Sequence, residues 1–138
     1  MFSFLKKKSA RLPDGKEAII AQLLSNQLML TGTTGSQFAV DSLEIDDDFA
    51  LGYLFGMADM GSYQFGPKAR SEDDTLNYIC RVLTIFIQAD ARHFLEKILE
   101  RQEKEMFNVG REQGANELGD WVKSQGQSIP TTLLNLTS

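Results

Sequence analysis

The chain has 138 residues, a net charge of -5, 42% hydrophobic and 24% charged side chains, and one cysteine, Cys80. That size fits one domain with its own core, and a lone cysteine excludes an internal disulfide framework and suits a reducing, cytoplasmic setting. The acidic balance excludes a general nucleic-acid binder, whose phosphate contacts need clustered Lys and Arg, and no apolar run is long enough to span a membrane.

Residues 1–15 predict a basic, flexible N-terminus. Met1-Phe-Ser-Phe-Leu5 followed by Lys6-Lys-Lys8 has the reverse order of a secretory signal. Contact of residues 1–8 with an anionic membrane surface is the alternative role. Pro13-Asp14-Gly15 is a turn signal. Ile19, Ile20, Leu23, Leu24 and Leu28 then recur at three- and four-residue steps, which predicts a helix from Lys16 to Met29. Gly32-Thr-Thr-Gly-Ser36 has the glycines of a phosphate-cradling loop but neither its lysine nor a preceding strand, so it reads as a connector. Phe38-Ala-Val40 reads as a brief extended piece.

A second helix is expected from Asp46 or Asp47 to Gly61, with its acidic residues in the first turn, where the helix dipole favours them. Phe49, Gly52, Tyr53, Gly56 and Met60 share one face. Gly61 to Pro67 reads as a loop with aromatic anchors. Ser71 and Asp74 form a capping-box signal for a third helix. Ile79, Val82, Leu83, Ile85, Phe86 and Ile87 surround it, which marks a buried helix. Beyond Ala91 the stripe narrows to Phe94, Leu95, Ile98 and Leu99. No glycine or proline interrupts residues 72–106, so the pattern predicts one helix with a bend near Asp90. A last helix carries Phe107, Gly110, Gly114, Leu118 and Trp121 on one face. Gly126 and Pro130 end it, and residues 127–138 read as a tail whose leucines are available to dock.

The glycines are the most informative feature. Gly52 and Gly56, then Gly110 and Gly114, are four-residue steps inside helical patterns. An interior helix glycine costs about 1 kcal/mol relative to alanine, so four of them need an offsetting gain. Close backbone approach supplies one, with the two glycine faces meeting either each other or a second copy. A self-associating homodimer is the expected assembly.

Candidates for chemistry are few. His93 is the only histidine, and Asp90, His93 and Glu96 follow at three-residue spacing. Di-metal bundles need an acidic-x-x-His pair on each of two helices; one such pair exists here, and it reads as an ordinary helix-face contact. Cys80 reads as a core residue. Asp59, on the apolar second helix, is expected either to face solvent or to pair with Arg81, Arg92 or Arg111. The acidic runs Asp46, Asp47, Asp48 and Glu72, Asp73, Asp74 fit helix starts, or a docking surface for a basic partner.

Together these features predict an all-α, single-domain irregular bundle of four or five helices over residues 16–126. They predict a non-enzymatic protein without a cofactor that acts through a protein partner the residues do not name. An acidic inhibitor or immunity-type protein is one alternative, and it requires the two acidic runs to form one contiguous surface. A small-ligand or metal-binding bundle is another, with a pocket beside Gly52 and Gly56, lined by Tyr53 or Trp121 and served by Asp59, Asp90 or His93.

Overall fold

The periodicity that opens at Lys16 becomes α1 (Lys16–Leu28), followed by a 3-10 turn over Met29–Thr31, in a computed structural model that describes residues 16–66 and 71–137. The remaining described helices are α2 (Gly35–Glu44), α3 (Asp48–Phe65), α4 (Glu72–Ile87), α5 (Arg92–Leu99), α6 (Glu105–Lys123) and α7 (Thr132–Thr137). The fold is an all-α helical bundle held by glycine-mediated helix packing. The expected basic N-terminus over residues 1–15, and membrane-surface contact through it, lie outside the described residues. Among the described residues no helix is long and apolar enough to cross a membrane.

Several boundaries differ from the sequence expectation, each for a local reason. Phe38 to Val40 is helical rather than extended. The Thr34 hydroxyl accepts from the Gln37 N–H at 3.0 Å and starts α2, and Phe38, Ala39 and Ser42 then fall on one buried face. Gly61 does not end α3. It lies inside the helix, 3.0 Å from Ile20 measured from where a Cβ would stand, and the expected aromatic loop is helical to Phe65. The single long helix expected over residues 72–106 is two, α4 and α5, with α6 opening at Glu105. Gln88 takes the left-handed conformation at φ 59° and ends α4, and a turn closed by the Lys104 N–H on the Arg101 carbonyl at 3.0 Å separates α5 from α6. The capping box is present in full, with Ser71 and Asp74 each accepting from the other's backbone N–H.

The core centres on α3, from which Leu51, Tyr53, Leu54, Met57 and Ala58 are fully enclosed. α3 and α6 cross at backbone contact. A Cβ on Gly52 would stand 2.0 Å from the Phe107 carbonyl oxygen, and one on Gly56 2.0 Å from that of Arg111. Reciprocally, a Cβ on Gly110 would stand 2.0 Å from the Phe49 carbonyl oxygen, and one on Gly114 2.4 Å from that of Tyr53. Contacts advance in the same direction on both helices, so α3 and α6 run parallel. Exchanging Phe49, Gly52 and Gly56 for Phe107, Gly110 and Gly114 maps the interface onto itself, a local quasi-twofold. The glycines spend helix propensity to bring the two backbones into wall-to-wall contact.

Around that pair, α1 runs antiparallel to α3, since Ile20 meets Gly61 and Gln27 meets Tyr53. α4 also runs antiparallel to α3, with Tyr78 beside Gly61 and the chain beyond α4 returning Arg101 to the start of α3. A third close approach ties the start of α2 to the end of α4, where a Cβ on Gly35 would stand 2.1 Å from the Phe86 carbonyl oxygen.

Candidate functional site

The best-defined polar construction lies where the end of α1, the middle of α3 and the last third of α6 meet. Tyr53 is fully buried and donates to Glu117 Oε1 at 2.6 Å. Gln27, itself buried, donates from Nε2 to the Tyr53 hydroxyl at 3.0 Å. Burial pushes the Tyr53 hydroxyl far above its ordinary range, and the hydrogen bond and charge of Glu117 push it further. Burial alone would raise the Glu117 carboxyl. Hydrogen bonds from Thr132, Tyr53 and Gln113 outweigh it and hold the group below the usual carboxylate range. At neutral pH the phenol therefore keeps its proton and the carboxylate is ionised.

α7 sits on this construction. Glu117 Oε1 accepts from the Thr131 N–H at 3.2 Å and the Thr132 N–H at 3.4 Å, and the Thr132 hydroxyl donates to Oε2. Gln27 Oε1 accepts from the Leu133 N–H at 2.7 Å. The Thr132 and Leu133 N–H groups are first-turn donors that no helix satisfies internally, and side chains of α1 and α6 satisfy them here. Leu133 is fully buried beneath them. The expected tail is thus docked over Thr132–Thr137, because its leucine spacing and two acceptors on the bundle coincide.

Near this seat, large apolar side chains are exposed. Met29 and Leu30 are 70% and 86% exposed on the turn that ends α1, and α7, which packs against that turn, carries Leu136 at 45%.

The other sequence candidates are dispersed. Gly52, Gly56, Gly110 and Gly114 meet each other inside one chain, and Trp121 is half-buried against the core. The pocket expected beside Gly52 and Gly56 is filled by the α6 backbone. Asp46 and Asp48 both bind Arg101 Nη1, at 3.0 and 3.4 Å, while Asp47 caps α3 by accepting from the Ala50 N–H at 3.1 Å. Glu72, Asp73 and Asp74 lie in the first turn of α4. The antiparallel α3–α4 arrangement puts the two acidic runs at opposite ends, roughly 25 Å apart at the rise of an α-helix, so they form no contiguous surface.

Asp90 precedes α5 and binds the Arg92 side chain and N–H, the latter at 3.0 Å, rather than facing His93. The His93 side chain is 80% exposed, with Nδ1 4.0 Å from Glu96. Asp59 is half-buried on α3. Of the three arginines considered for it, Arg81 instead pairs with Glu17 at 2.8 Å, a buried bond between α1 and α4 that the sequence pattern did not mark. Cys80 is half-buried, and burial raises its thiol. Among the described residues no group of three or more His, Cys, Asp or Glu stands together as a metal cluster.

Comparison with protein-family models, curated proteins and solved structures finds no match to this chain.

Proposed function

We propose that this chain is a non-enzymatic protein that works by binding protein, with a second copy of itself as a partner, through the apolar end built from Met29, Leu30 and Leu136. The supporting observation is the exposure of Met29 and Leu30 side by side, at 70% and 86%, next to a docked terminal helix. Exposed apolar clusters of this kind mark association surfaces. Both glycine faces are consumed within the chain, so self-association calls on another surface, and a twofold dimer is the simplest closed form. The free Cys80 suits work in the cytoplasm. An acidic inhibitor that presents one continuous charged face draws no support from runs at opposite ends of α3.

Sedimentation across a wide concentration range tests the reading. The wild-type chain should move from monomer to dimer as concentration rises, and Leu30→Asp should remain monomeric. A wild-type chain that stays monomeric throughout, or a Leu30→Asp variant that dimerises equally well, refutes it.

A further inference from the structure

We propose that α7 is a detachable strap and that its seat accepts the same segment from a second copy, so that two copies associate by exchanging C-terminal helices. This deepens the reading above and rests on it, since it places the meeting of two copies at the same end of the molecule.

Three observations carry the proposal. First, the strap is held by groups that recognise its backbone rather than by a broad apolar face. Glu117 takes the Thr131 and Thr132 N–H groups, Gln27 takes that of Leu133, and Leu133 is the one helical side chain of the strap that is buried. Such a seat suits any helix start with a hydroxyl at its first position and an apolar residue at its second, and this chain's own sequence supplies that pattern. Second, six residues cannot sustain a helix alone, so the strap is ordered on its seat and unfolds off it as a unit. Third, the connection is a turn built on two left-handed residues, Gln125 at φ 56° and Gly126 at φ 89°. A residue other than glycine is strained there, and opening the turn exchanges the Gly126 N–H bond to the Trp121 carbonyl, 2.8 Å long, for relief of Gln125. In an exchanged pair every seat contact is kept, so the balance between closed monomer and exchanged dimer is set by concentration and by the hinge.

Full-length Leu133→Asp protein, whose own strap cannot seat, is titrated with a fluorescein-labelled peptide of residues 128–138. Anisotropy should show saturable binding at least about tenfold tighter than to the wild-type chain, where the tethered strap competes at high effective concentration. The same peptide carrying Leu133→Asp should not bind. A folded Leu133→Asp protein that ignores the wild-type peptide, or equal binding by both proteins, overturns the proposal. If Leu133→Asp does not fold, hydrogen exchange on the wild-type chain decides. Amides of residues 131–137 should then open at least about tenfold more often than those of α6, and opening only together with α6 overturns it. The two readings fail separately. Peptide binding with dimerisation unaffected by Leu30→Asp keeps the strap and removes the apolar surface. No peptide binding, with dimerisation abolished by Leu30→Asp, does the reverse.

Discussion

The Phe49 carbonyl oxygen lies 2.0 Å from the place a Cβ would take on Gly110, and the Phe107 carbonyl stands at the same 2.0 Å from that place on Gly52. These reciprocal approaches are the centre of the fold. They make each glycine irreplaceable by even one methyl group, because the colliding atom is backbone and has no rotamer to turn. Gly52→Ala and Gly110→Ala should each force α3 and α6 apart, at a cost of about 1–3 kcal/mol or more. Gly119, on the same α6 helix, has nothing within 4 Å of its absent Cβ, so Gly119→Ala should stabilise by about 0.4–1 kcal/mol through the unfolded chain. Thermal unfolding of the variants reads both signs.

Part of this was legible in the sequence and part was not. The four-residue glycine steps announce close packing because only backbone contact repays their lost propensity. That they meet within the chain, and in parallel, depends on how many times the chain reverses between residues 66 and 105. Among the described residues, two of the turns in that stretch carry no signal: Gln88, which adopts φ 59°, and residues 101–104, without glycine or proline. The candidate site was less legible still. Tyr53 meets Glu117 across 64 residues of sequence, and Gln27 meets Leu133 across 106. The available hint was spacing: Glu117 follows Gly114 by three residues, as Asp59 follows Gly56, so the two carboxylates occupy equivalent places on the quasi-twofold pair, and the sequence pattern favoured Asp59.

Glu117 gives the fold a pH dependence. Its folded carboxyl titrates below the usual range, so the unfolded chain binds the extra proton as pH falls. The stability it contributes is complete above the ordinary carboxylate pKa and is lost as pH drops through the lower folded value. Glu117→Gln should remove that acid-side slope. Denaturant unfolding from pH 7 down to pH 3 should show a shallower decline for the variant, with the difference between the two proteins largest at neutral pH.

The Glu17–Arg81 pair, whose side chains are 2% and 14% exposed, should behave as a buried salt bridge. Glu17→Ala strands the guanidinium and should destabilise by about 3–5 kcal/mol. Replacing both partners, as in Glu17→Leu with Arg81→Met, should recover most of that loss, because the desolvation of two charges is also removed. A double-mutant cycle by denaturant unfolding measures it.

His93, 80% exposed and 4.0 Å from Glu96, should be dispensable to the fold. His93→Ala should leave stability within about 0.5 kcal/mol of wild type and leave metal content unchanged, as read by thermal unfolding and elemental analysis.

The central claim is that the glycine faces are spent inside one chain and that association is left to the surface around Met29, Leu30 and Leu136. Sedimentation together with thermal unfolding of Gly56→Ala tests it most directly. The account predicts a variant whose association matches wild type and whose melting temperature falls by the same amount at every concentration. A variant that loses the dimer while its monomer melts like the wild-type monomer would place the glycine crossing between chains and contradict the account.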